Sequence, residues 1–227
     1  MANPVLEAIR RRVTRREVAP GPTPAWPRAG TSEEAVAALP AVWAALGVQT
    51  VTCRTLMEAA QRSAALLQER GVRVVLTDGR TIAFCPGLVD ALEAGGMTVL
   101  SGKLPHEEGP RYLRLQRWAG AEAGITVVMA AFADTGTLWV AGGPGGSRCA
   151  SLLPPLHLAL VPRSRVYPCF AAWIAAARAE RTLDRWIEES SAWIAITGPS
   201  RTSDIEKVLT IGVHGPKAVI ALLIEEA

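Results

Sequence analysis

The 227-residue chain has no run approaching the ~20 uninterrupted apolar residues that a bilayer-spanning helix needs, so no membrane span is expected. Cysteine is scarce. Cys53, Cys85, Cys149 and Cys169 stand far apart, and no two of them form a C-x-x-C pair. Zinc sites and iron–sulfur clusters draw on closely spaced thiolates, so this chain is expected to hold neither by itself, and no metal ligand is assigned. Solitary cysteines in apolar surroundings are ordinarily reduced core residues, which points to the cytoplasm. The charge imbalance is small as well. A net charge of +3 does not imply a nucleic-acid partner, and no basic stripe interleaved with aromatics follows the arginine-rich start. Arg10, Arg11 and Arg12 precede a proline-rich segment where a secretory signal would need an apolar run. Gly142-Gly-Pro-Gly-Gly-Ser-Arg148 is glycine-rich but lacks the Gly-Lys-Ser/Thr ending of a phosphate loop, and reads as a mobile hairpin tip with Arg148 as a candidate ligand contact. No nucleophile–histidine–acid triad can be read from spacing.

What is present is a globular composition, 49% hydrophobic and 20% charged, in a length that suits one α/β domain. Residues 1–28 read as an arm: an amphipathic helix bearing Arg10, Arg11, Arg12, Arg15 and Arg16, then a linker whose prolines forbid helix. Residues 29–227 read as the domain. A helix from Ser32 to Leu46, with a kink or break expected at Pro40, stops at Gly47. Strand and helix patterns then alternate through Leu100, which implies crossover units and a largely parallel sheet. A polar excursion, Lys103 to Arg117, leads into a further helix. Its His106 and two glutamates lack distant partners for a metal.

Val127 to Ala133 and Leu138 to Ala141 are apolar strands joined by Asp134-Thr-Gly-Thr137, a connection so short that it either makes them antiparallel neighbours or bends a single strand. His157 begins a buried strand, and Ala218 to Ile224 is apolar throughout, as a central strand would be. Trp193 to Thr197 is a strand running into a Gly198-Pro199 turn. Ser203 and Glu206 then stand at capping-box spacing, so a helix start is expected there.

Ile196-Thr-Gly-Pro-Ser-Arg-Thr-Ser-Asp-Ile-Glu206 with Gly212-Val-His-Gly-Pro216 resembles the C-terminal signature of the lactate utilization protein C family, the LUD domain. Ala133-Asp-Thr-Gly-Thr-Leu138, followed by Ser151-Leu-Leu-Pro-Pro-Leu-His157, resembles that family's central signature. The resemblance implies a Rossmann-like, mixed and mostly parallel sheet with helices on both faces, of the sugar-phosphate isomerase and coenzyme A transferase type. It also implies a non-redox subunit of the system that oxidises L-lactate to pyruvate, with the iron–sulfur clusters on partner proteins. A stand-alone enzyme acting on a sugar phosphate or an acyl-thioester is the alternative from the same superfamily.

If both signatures lie at the carboxyl edge of the sheet, Asp134, Thr135, Gly136 and Thr137 face Gly198, Pro199, Ser200, Arg201, Thr202 and Asp204, with Gly215 nearby. That would make a site for a small carboxylate or phosphate centred on the Arg201 guanidinium. Asp204 and Glu206 can equally complement and cap a helix. No catalytic residue is assigned; Glu206 and His214 are the candidates, and His214 can equally be a structural turn residue.

Overall fold

The computed structural model describes residues 32–101, 107–203 and 209–227. The arm, His106, Asp204 and Glu206 lie outside the described residues.

Helix α1 (Ser32–Leu46) runs through Pro40 without ending. It leads by Gly47 into β1 (Val48–Thr55). Thr55 then caps α2 (Leu56–Gln68), its hydroxyl accepting the Glu58 amide at 3.2 Å while the Glu58 carboxylate takes the Arg54 amide. β2 (Val74–Leu76), α3 (Gly79–Phe84), α4 (Leu88–Ala94), β3 (Thr98–Leu100), α5 (Glu108–Ala119) and β4 (Ala123–Val127) complete the alternating half.

The chain then departs from alternation through β5 (Ala130–Phe132) and β6 (Thr137–Gly142), the antiparallel pair expected around Asp134. Next come α6 (Arg148–Leu152), β7 (Leu156–Pro162), a 3₁₀ turn at Arg163–Arg165, β8 (Val166–Tyr167), α7 (Phe170–Ala179), α8 (Leu183–Glu189) and β9 (Ala192–Ile196). β10 (Arg201–Ser203), β11 (Leu209–Ile211) and β12 (Ala218–Glu226) close it.

Six strands form an entirely parallel sheet in the order β1-β12-β7-β4-β2-β3, so the closing apolar strand β12 lies inside it as expected. The mixed character resides in a second sheet, β8-β5-β6-β9. The apolar stretch around Val127 is therefore two strands: β4 ends at Val127 in the first sheet, and β5 begins the second.

Strand alternation sorts the core by face. Ile220, Leu222 and Ile224 of β12 pack with Ala59, Ala60, Leu67, Leu88 and Leu92 of α2 and α4. Val219, Ala221 and Leu223 pack with Leu39 and Trp43 of α1, and with Leu138 and Val140 of the second sheet. The far side of that sheet carries an aromatic cluster, Phe132, Trp139 and Trp193, against Trp173 of α7 and Trp186 of α8. No described helix is long and apolar enough to cross a membrane.

Cys53 and Cys85 are buried free thiols. Burial, with Glu58 adding to it, pushes Cys53 up to about 11, and burial raises Cys85 also. Neither is poised as a thiolate nucleophile.

Candidate functional site

The two signatures do meet, but at the amino edge of the parallel sheet rather than the carboxyl edge. Their meeting point is the end of α1, where Leu46 and Gly47 lead into the first residue of β1. Gly136 lies against this helix with φ +66°; a Cβ there would sit 2.6 Å from Leu46 Cδ1, and its carbonyl accepts the buried Trp43 Nε1–H at 3.0 Å. Thr137 pairs with Thr197 at 2.8 Å and donates to Thr135 at 2.9 Å, and Thr135 donates to the exposed carboxylate of Asp134 at 3.2 Å. Gly198 packs on Leu46, and exposed Arg201 donates to the Leu46 carbonyl at 2.7 Å. The Trp43 indole and the Arg201 guanidinium thus tie both signatures to the last turn of α1, while the threonine hydroxyls join the start of β6 to the end of β9.

The helix start expected between Ser203 and Glu206 falls outside the described residues, and on either side of them β10 and β11 form a two-stranded antiparallel sheet. Arg201 pairs with Ile211, Thr202 with Thr210 and Ser203 with Leu209, antiparallel. Pro199 and Ser200 form its half-buried approach, with the Ser200 amide donating to the Pro216 carbonyl and the Gly212 amide to the Ser200 carbonyl. Gly215 packs on the Ser200 side chain, and His214 is exposed on the turn entering β12.

The carboxyl edge holds a different constellation. β2 sends the chain one way to β3, while β4 sends it the other way toward β7, which makes a topological switch point between them. Just beyond those strand ends lies a crevice of about 340 Å³ lined by Arg80, Met129, Arg165, Arg185, Trp186, Glu189 and Ser190.

A buried turn aims Arg80. Asp78, 3% exposed, caps α3 by accepting the Thr81 amide at 2.8 Å, and its second oxygen accepts the Ser147 amide at 2.9 Å. The Thr81 hydroxyl takes the Val127 amide, and the Thr77 hydroxyl donates to the Ile125 carbonyl, locking β2 to β4. The Arg80 amide donates to the Gly145 carbonyl, and its guanidinium reaches the carbonyls of Ala141 and Pro144 at 3.2 and 3.4 Å. The glycine-rich loop is therefore strapped onto Asp78 and Arg80 instead of hanging free as a hairpin tip. Gly143, at φ +135°, touches the Glu189 carbonyl so closely that no side chain fits. A short helix, α6, follows the loop, with exposed Arg148 at its start.

Arg165 enters from the end of β7. It donates to the Val128 carbonyl at 2.6 Å and lies over the Phe84 ring, 5.1 Å from the centroid. Burial lowers its pKa; Tyr167 opposes that, and the nearby Arg80 cation adds to it. Among the described residues neither Arg80 nor Arg165 has a carboxylate partner, whereas Arg185 pairs with Glu189 at 3.8 Å. Two half-buried like charges facing one crevice suit an anion.

Nothing in spacing announces this site, because its residues come from the ends of β2, β4 and β7 and from α8. The only local signal is the Thr77-Asp78-Gly79 turn after a strand. Arg114, Arg117 and Trp118 of α5 line a second cavity, about 240 Å³, beyond Leu100. Among the described residues no group of three or more His, Cys, Asp or Glu is placed to hold a metal ion.

The LUD domain model matches residues 39–224, most of the chain and both signatures. The chain belongs to the LUD domain family. A lactate utilization protein C of Bacillus pumilus is 30% identical over 181 residues, 74% of this chain and 70% of that protein. Its counterpart in Halalkalibacterium halodurans is 32% identical over 168 residues, 71% of this chain and 66% of that one. With the Exiguobacterium protein of the same name, identity is 39% over 107 residues, and the shared segment spans only 45% of that protein. The crystal structure of a DUF162 family protein from Deinococcus radiodurans superposes with a TM-score of 0.56 at 17% identity, covering 86% of this chain and 99% of that one. This confirms the LUD-type architecture, a parallel sheet flanked by helices, and the match speaks for fold alone.

Proposed function

We propose that the chain serves L-lactate utilization as a subunit with no redox centre of its own. The observation that carries this reading is the 30% identity to a lactate utilization protein C across 70% of that protein's length. Oxidising L-lactate to pyruvate releases two electrons and two protons, and the electrons need an acceptor. Four dispersed cysteines, two of them buried, do not make a cluster cradle, so the acceptor is assigned to iron–sulfur partner proteins. The crevice at the carboxyl edge is the site through which this subunit works, and the signature cluster at the amino edge organises the fold.

The test is reconstitution. Extracts of cells lacking this chain should not oxidise L-lactate with an artificial electron acceptor, and adding the purified chain should restore the reaction. The purified chain alone should reduce no dye. Full lactate oxidation in the depleted extract, or by the isolated chain, contradicts the assignment.

A further inference from the structure

L-Lactate has six non-hydrogen atoms, far fewer than the crevice can hold. At roughly 30 Å³ for each water-sized group, a cavity of about 340 Å³ takes on the order of ten such groups. Its wall is also two-sided in chemistry. Arg80 and Arg165 bring two guanidiniums with no carboxylate partner among the described residues. Trp186 and Met129 supply apolar surface, and the Trp186 ring is held by stacking on Trp173, 5.4 Å between centroids and 15° between planes. A ring fixed in this way loses little freedom on meeting a ligand, and thioether sulfur adapts its contacts to unsaturated partners.

We propose that the crevice binds a ring-bearing organic anion larger than lactate, its carboxylate or phosphate held between Arg80 and Arg165 and its ring packed against Trp186 and Met129. The arginines come from the ends of β2 and β7 and the tryptophan from α8, so a bound anion bridges the parallel sheet and the helix beside it. The inference rests on the crevice being the working site of this subunit, and it names the class of molecule that site takes.

The experiment titrates the full chain by intrinsic tryptophan fluorescence and calorimetry with four probes: L-lactate, inorganic pyrophosphate, 3-phenyllactate and phenyl phosphate. At least one ring-bearing anion should bind tenfold or more tighter than both ring-free ones. Preference for phenyl phosphate identifies the headgroup as a phosphate and preference for phenyllactate as a carboxylate. Arg80→Gln and Arg165→Gln should each weaken that binding tenfold to a hundredfold. Trp186→Ala should abolish the preference for a ring. Because Arg80 and Arg165 also hold backbone carbonyls, each variant is first melted. If a glutamine variant does not fold, the salt dependence of wild-type binding replaces it, with affinity falling as ionic strength rises.

No saturable binding of any probe, equal binding of ring-free and ring-bearing anions, or affinity untouched by charge removal and by salt overturns the proposal. Lactate oxidation is not read here. A failed reconstitution with intact ring-anion binding removes the lactate reading, and the reverse removes this one.

Discussion

Arg201 donates from its guanidinium to the carbonyl of Leu46 at 2.7 Å, a hydrogen bond between residues 155 positions apart. Leu46 ends α1, so the cation sits where the helix leaves unpaired carbonyls and partial negative charge. Arg201→Ala should therefore lower stability by about 1 kcal/mol. Arg201→Lys should recover part of the loss, since any cation complements the helix end. A thermal melt of the three proteins checks this, and identical melting temperatures would mean that the bond contributes nothing.

Asp78 has a larger task. One carboxylate accepts amides from Thr81 and Ser147, and so fixes both α3 and the glycine-rich loop that holds Arg80. Asp78→Ala would leave two amides without their partner at a site 3% exposed. Each orphan costs about 1–3 kcal/mol, so a loss of several kcal/mol is expected. Asp78→Asn keeps one acceptor and should lose roughly half as much. Denaturant unfolding of the two variants should show that order; equal destabilisation would contradict the two-bond account.

His157 governs acid stability. It is fully buried between β4 and β12, its Nε2 2.8 Å from the Thr126 hydroxyl and its Nδ1 without a partner among the described residues. Desolvation pushes its pKa down to about 4 from 6.5. The folded protein thus keeps the ring neutral while the unfolded chain protonates it. This contribution is fully present above pH 6.5 and declines as pH falls through the window from 6.5 to about 4. The slope is about 1 kcal/mol per pH unit. His157→Gln should flatten that part of the stability–pH profile. A variant profile as steep as the wild type would assign the slope to other groups.

What the sequence reveals depends on how local the cause is. β12 was legible because six consecutive core residues, Val219 to Ile224, leave no polar face, as a strand covered on both sides requires. The hairpin at Asp134 was legible because four residues cannot carry a parallel crossover. The cap expected at Ser203 and Glu206 falls outside the described residues, and the pairing of Thr202 with Thr210 has no signal in local spacing. The two signatures were expected to meet if both lay at the carboxyl edge; they meet at the amino edge, because strand order is set by long-range packing. Arg80, Arg165 and Arg185 share no spacing at all, and only the folded chain brings them to one crevice.

Growth on L-lactate tests the central claim most directly. A strain lacking this chain would carry the wild type or the Arg80→Gln, Arg165→Gln double variant, provided the variant melts cooperatively and is present at equal abundance. Wild type should restore growth on L-lactate. The double variant should leave L-lactate growth impaired and growth on pyruvate normal, because only the step before pyruvate depends on the crevice. Full growth of the double variant on L-lactate, or unimpaired growth of the strain with no copy at all, would contradict the account.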